Sequence, residues 1–455
     1  MTYPPSRVAL AGLWSLAVLV TAVVLHDPLG AAPAGAPQTP TFRASVDLVA
    51  VDVQVVDNSG TPIAVLGPED FEVSIAGKRR RVVSAEFIRS TDVDGTPFRQ
   101  SEIRPEATNL WVDAPDADAG RVYILAFDIG SLSVGDSRAV VGSALTFVDR
   151  LLPTDRVGLH TFPIGPRLDP TTNRVALRQL LATVVGSRSN SSGFDNRFNL
   201  SPSEIIDINA EAVRVTPVAV EVTGGGRGGG GAPMQEMMIL GDETDTIRAV
   251  QQRECHLTEV RCGDEIRTEA MALAFLLEAQ ATEGLHGIRA LVNLLSDYTG
   301  RKTVVMFSSG MVSADRPGGR PHLGSLPAML GKDAAATNTT IYTLHVDSGQ
   351  MRAMNAAAGR ATGSLGSRTR DLDVEAQVLD EFAGASGGAL LRISTGSGEY
   401  ALDRVLRETS SHYLLGVEPE DSDRDGQLRE LRVRVNHDGA TVRSRTWVTV
   451  PTRPS

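Results

Sequence analysis

The feature that most restricts the fold of this chain is a change of rhythm at residue 121. From there, short continuous apolar runs alternate with longer stretches in which apolar residues recur every three or four positions. "RVYILAFD" (121–128), "DRVGLHTF" (155–162), "KTVVMF" (302–307), "TIYTLHV" (340–346) and "ALLRI" (389–393) are too uniformly apolar to present a wet face. Each predicts a strand covered on both sides. Between them, Val140, Val141, Ala144, Leu145, Val148, Leu151 and Leu152 form one helical stripe, and Ile288, Leu291, Val292 and Leu295 form another. Further helices are expected at "NRVALRQLLATVV", near Glu375–Ala383 and near 401–411. Strands alternating with helices imply a doubly wound α/β domain over 121–411, with a mostly parallel sheet between two helical layers.

The flanks read differently. Residues 41–89 carry period-two alternation in "SVDLVAVDVQVVD", a turn at "NSGTP" and two more strand-like pieces, so an N-terminal β domain is expected. The basic run Lys78–Arg81 opens one of those pieces after Gly77 and reads as a solvated edge. Residues 90–120, rich in Asp, Pro and Thr, read as a linker. "LRELRVRVN" and "ATVRSRTWVTV" alternate again, so a small C-terminal antiparallel unit is expected over 412–450. Inside the α/β domain, residues about 187–250 contain "SRSNSSGFDN" and the glycine run Gly224–Gly231, a composition expected of a mobile surface insertion.

The N-terminus bears on where the chain works. Arg7 precedes the apolar stretch Val8–Leu25, and small residues follow, with Ala32-Pro33-Ala34 before Gly35. Residues 1–36 therefore read as an export signal, or as an uncleaved single-span anchor, and in either case the rest of the chain leaves the cytoplasm. In an oxidising compartment Cys255 and Cys262 predict a small-loop disulfide; zinc binding by the two with His256 is the rival reading. A formal net charge of −11 with 5% aromatic residues argues against a nucleic-acid partner, and contact with a membrane is expected only through the N-terminal segment.

The order of these parts resembles the von Willebrand factor A (VWA)-related proteins of the acidobacterial type. The resemblance is carried by "VDVQVVDNSGTPIAVLGPEDFEVSIAGKRRRVVSAEF", "RVYILAFD", "DRVGLHTF", "EGLHGIRALVNLLSDYTGRKTVVMFSSGM", "FAGASGGALL" and "RETSSHYLLGVEPE". It implies a Rossmann-like VWA domain that docks a protein or peptide at the C-terminal ends of its strands, often through Mg²⁺ or Mn²⁺. The family's Asp-x-Ser-x-Ser loop falls on Asp128, with Ser131 and Ser133 one residue out of register because Gly130 and Leu132 hold the serine positions. Thr282 is the candidate second-loop threonine, and Ser308 and Ser309 stand where a third-loop aspartate is usual. Asp128, Ser131, Ser133, Thr282 and Ser309 are thus the expected remnant of a metal site, and Asp128, Ser131 and Ser133 the expected docking residues. Hard divalent ions need several oxygen ligands, so one carboxylate makes the site degenerate.

Two other patterns compete for chemistry. "DSDRDG" (Asp421–Gly426) opens like a calcium loop, but its twelfth position is Arg432. "GASGG" (Gly384–Gly388) has nucleophile-elbow spacing around Ser386, with a helix before it and a strand after it, the reverse of an elbow. The leading expectation is an exported, non-enzymatic binding protein. The alternatives are an envelope serine hydrolase using Ser386 and an inert structural component of the envelope.

Overall fold

The computed structural model describes residues 48–89, 121–188, 196–214, 245–255, 261–298, 300–347, 365–394 and 398–452. The N-terminal segment 1–36, the linker 90–120, the glycine run Gly224–Gly231 and His256 lie outside the described residues. No described helix is long and apolar enough to cross a membrane.

The fold is mixed α/β and is built on two sheets. The first has six strands: β4 (Val122–Asp128), β5 (Arg156–Phe162), β6 (Arg167–Thr171), β7 (Lys302–Ser308), β8 (Thr339–Asp347) and β9 (Leu390–Ser394), in the order β6-β5-β4-β7-β8-β9. All neighbours are parallel except β5 and β6, which form an antiparallel pair. Every residue of β4 and β7 is buried, in keeping with the continuous apolar runs at their centres. Alternate side chains then feed two cores. Tyr123, Leu125 and Phe127 pack with helices α1 (Val134–Asp149), α2 (Arg174–Leu181) and α8 (Gly398–Glu408). Val122, Ile124 and Ala126 pack against α5 (Cys262–Leu294), α6 (Leu326–Ala336) and α7 (Leu365–Ala385) on the other face.

The second sheet is antiparallel and joins the two ends of the sequence. It runs β12-β1-β10-β3-β2-β11-β13, from β1 (Val49–Val56), β2 (Phe71–Ile75), β3 (Lys78–Arg89), β10 (Ser411–Glu418), β11 (Leu428–Val435), β12 (Thr441–Ser444) and β13 (Trp447–Thr449). The expectation of two separate β units, 41–89 and 412–450, is corrected here: their strands interleave. β10 sits between β1 and β3, hydrogen-bonded to both, and points Tyr413, Leu415 and Val417 into one apolar core with Val51, Val53, Phe71 and Ile75. Within each segment only one pair of strands is hydrogen-bonded, β2 with β3 and β11 with β13, so a face is buried only when the two segments share one sheet. Tyr413 fastens it, its ring 5.1 Å from that of Phe71 and 5.0 Å from that of Phe87, while its hydroxyl donates to the Ile63 carbonyl at 2.9 Å.

A second correction concerns the insertion. Its described parts hold α3 (Pro202–Arg214) and α4 (Asp245–Glu254), and Phe198, Leu200, Ile205, Ile208, Ile247 and Val250 pack on the first half of α5. The polar and glycine-rich flanks hid two short amphipathic helices that need a neighbouring rod to be buried at all. A disulfide joins Cys255 to Cys262 between α4 and α5, with Cα atoms 6.5 Å apart.

The two sheets meet along a polar seam. Tyr342 of β8 donates to Gln54 Oε1 of β1 at 2.8 Å. Glu408, fully buried at the end of α8, receives Arg404 Nε and Arg443 Nε, each at 2.8 Å. Removing the acid strands two guanidinium groups in a largely dry place. Glu408→Ala is therefore expected to lose about 3 kcal/mol of unfolding free energy, with Glu408→Gln losing less; denaturant unfolding of both variants checks the order.

Candidate functional site

β4 is the first strand of the parallel sheet, and the chain next lays β5 on one side of it and, after the helical excursion, β7 on the other. The strand order reverses at that point, which leaves a crevice at the carboxyl ends of β4, β5 and β7. Asp128 is the last residue of β4 and Ser308 the last of β7, so the crevice gathers both.

The carboxyl of Asp128 is held by the protein itself. Ser308 Oγ donates to Oδ2 at 2.8 Å, and the Ser131 amide donates to Oδ1 at 3.3 Å. Ser131 Oγ lies 3.1 Å from Ser308 Oγ and 3.1 Å from the Asp128 carbonyl, and it accepts the Ser309 amide at 2.9 Å. The shift of one residue from the expected serine position is thus what lets Ser131 bridge the first and third loops. The roof is α5: a Cβ built on Gly284 would stand 2.7 Å from Met311 Cε and 4.0 Å from Asp128 Oδ2. Asp128 is only 5% exposed. Burial pushes its carboxyl up to about 6, against the pull of the Ser308 and Ser131 hydrogen bonds and of nearby Arg188.

The other expected residues divide. Ser133 is the N-cap of α1: its Oγ accepts the Asp136 amide at 3.1 Å and donates to Asp136 Oδ2 at 2.6 Å. Thr282 sits half-buried on α5, two positions from Gly284 and so well round the helix from Asp128, and no hydrogen bond ties it to the crevice. Ser309 is buried at the crevice with its Oγ unpartnered, and its carbonyl lies 3.3 Å from His345 Nε2. His345 and Glu375 extend the buried polar edge beyond the expected set, 4.0 Å apart. Burial lowers the affinity of His345 for a proton, partly offset by Glu375. The sequence signal for His345 is its place near the end of "TIYTLHV"; Glu375, in the middle of α7, has none.

These donors do not fit Mg²⁺ or Mn²⁺. A single carboxylate has both oxygens engaged, Ser133 is committed to the helix cap, and Thr282 is elsewhere. Among the described residues no group of three or more His, Cys, Asp and Glu side chains is placed to hold an ion.

The rival patterns are also placed. Ser386 is buried, its hydroxyl donating to the Ala383 carbonyl at 2.8 Å and accepting the Ile341 amide at 2.9 Å, where it ties α7 to β8. The downstream residues that a hydrolase would need beside Ser386, His412 and Asp403, lie elsewhere: His412 sits 3.7 Å from Asp52, and Asp403 pairs with Arg150. In the acidic turn, Arg80 takes Asp423 with bonds of 2.7 and 2.9 Å, and Arg429 takes Asp425 at 2.7 Å. Both carboxylates are spent on arginine.

No family model matches the sequence, and no curated protein matches it. Among solved structures, an aerotolerance-related membrane protein from Bacteroides fragilis NCTC 9343, with multiple mutations to serines, aligns over 64% of this chain and 98% of its own. The two share 10% identity with a TM-score of 0.27, too loose a superposition to establish a common fold.

A carboxyl whose folded pKa lies above its ordinary value binds extra protons in the folded state, so its share of stability falls as pH rises from about 4 to about 6. Asp128→Asn is expected to remove that fall and to gain up to about 3 kcal/mol over the wild type at pH 7. Denaturant unfolding of both proteins at each pH, read as their difference, cancels the opposite contributions of His160 and His412, which burial holds at about 4.

Proposed function

We propose that this chain is an exported, non-enzymatic envelope protein whose α/β part is a VWA-like domain. In this reading it docks a protein or peptide partner at the crevice above Asp128, without a metal ion. One observation carries the reading: the switch-point loop keeps the place of an ion-dependent docking loop while Ser308 and Ser131 occupy the oxygens an ion would take. The ordered strand-helix segments and the apolar N-terminal stretch support the VWA relation and the export.

Without an ion, affinity has to come from the rim. The loop after β5 lies against the Asp128 loop, a Cβ on Gly130 standing 3.4 Å from Pro163 Cδ, and it exposes Ile164 at 84%. Val134 at the start of α1 and Val185 beyond α2 are exposed nearby, the segment at 187–188 being hydrogen-bonded to the loop through the carbonyls of Ile129 and Leu132. Three apolar side chains around a muted carboxyl suit an apolar anchor on the partner.

A photo-crosslinking residue at Ile164 or Val134, introduced into the full chain in cells, is expected to trap one discrete adduct, and the same residue at Val83 on the antiparallel sheet none. Equal labelling from all three positions would sink the docking face. Calorimetric titration with Mg²⁺ and Mn²⁺ is expected to give no saturable heat for the wild type, and a saturable isotherm lost in Asp128→Ala would restore the ion-dependent site.

A further inference from the structure

At the opposite end of the parallel sheet, where β7 and β8 begin, a cleft opens between the two sheets. Open to solvent, it is lined by Arg301, Arg443 and Arg445, with Asp52 the one carboxylate. Seven residues of β7 separate Arg301 from the Asp128 crevice, about 20 Å of strand.

The cleft is over-supplied with positive charge. Arg443 is satisfied by Glu408, which Arg404 shares. Asp52 is shared with His412 at 3.7 Å. Arg445 has no carboxylate in hydrogen-bond range: its Nη2 donates to the Ala50 carbonyl at 3.0 Å, and its buried Nε has no partner. Arg301 makes no hydrogen bond or ion pair with any described residue, yet its field is felt by Arg445 and by His412. Four guanidinium groups therefore share two carboxylates. Gly387 explains how close the walls stand, because it adopts φ +85° and a Cβ there would meet Arg445 N at 2.7 Å. Like charges that line one half-buried cleft repel one another, and a counter-ion among them relieves the repulsion.

We propose that this cleft binds a small divalent oxyanion, of the phosphate or sulfate type, between Arg301 and Arg445, and that the ion clamps the two sheets together. Arginine forks match the geometry of oxyanion edges, and the excess of two positive charges matches a divalent ion. The inference stands on the seam alone and does not depend on the docking crevice.

The test uses the full-length protein in chloride buffer at constant ionic strength, titrated with inorganic phosphate and with sulfate, and read as thermal midpoint and calorimetric heat. Phosphate and sulfate are expected to raise the midpoint along a saturating curve. In Arg445→Ala and Arg301→Ala the apparent affinity is expected to fall by about tenfold or more, while Arg81→Ala, at an exposed pair with Glu418, leaves it unchanged. Arg301 has no bonds to lose, so its variant folds even if Arg445→Ala does not. A midpoint that rises without saturating is the general salting effect of these ions and would overturn the site. So would a curve that Arg301→Ala leaves where it was.

Discussion

The structure depends on one strand pairing over a long distance in sequence. β10 enters between β1 and β3 and fills both their edges, so the antiparallel sheet cannot be completed until nearly the whole chain has been made. Its Tyr413 hydroxyl reaches residues 63 and 66, the latter 347 positions away. Such closure carries a large loop entropy that only a shared core can offset. Everything between β3 and β10 is thereby bracketed. α8 runs directly into β10, which brings Glu408 to the seam and with it Arg443 from β12. The α/β part is accordingly an excursion from the antiparallel sheet and not a bead on a string.

What could be read from the residues follows the range of the forces involved. The parallel strands were legible because a doubly covered strand is mostly apolar, as the runs "VYILAF" and "VVMF" are. Individual antiparallel strands were legible from alternation, but their partners were not, since period two says which face is buried and nothing about which edge is paired. The helices within 187–250 were missed because Ile205, Ile208, Ile247 and Val250 make sense only against α5. At the crevice, Asp128 was visible as the polar stop of an apolar run. The use of Ser131 and Ser308 was not, because a one-residue offset in a loop changes direction in ways that spacing alone does not fix.

The two ends of the parallel sheet handle charge in opposite ways. Above β4 and β7 the Asp128 carboxylate is buried, hydrogen-bonded by the Ser308 hydroxyl and the Ser131 amide, and its pKa is raised. Below β7 and β8 guanidinium groups, which cannot shed their protons, are gathered without enough acids to match. Desolvation shifts an aspartate towards its neutral form, whereas an arginine keeps its charge and has to be answered by a second one. This asymmetry makes the upper crevice suited to apolar contact and the lower cleft to an ion.

α5 has a mechanical meaning beyond its packing. Its 33 residues form a rod about 50 Å long. Cys262, Ile266, Ala270 and Leu273 belong to the helical excursion, while Leu285, Ile288, Leu291 and Val292 belong to the core under the parallel sheet. One stiff body is therefore clamped in two places, with Gly284 passing over Asp128 just inside the second clamp. The same helix thus carries the packing of the excursion at one end and the cover over the carboxyl at the other. A substitution that loosens the excursion therefore acts on the same rigid body that covers Asp128.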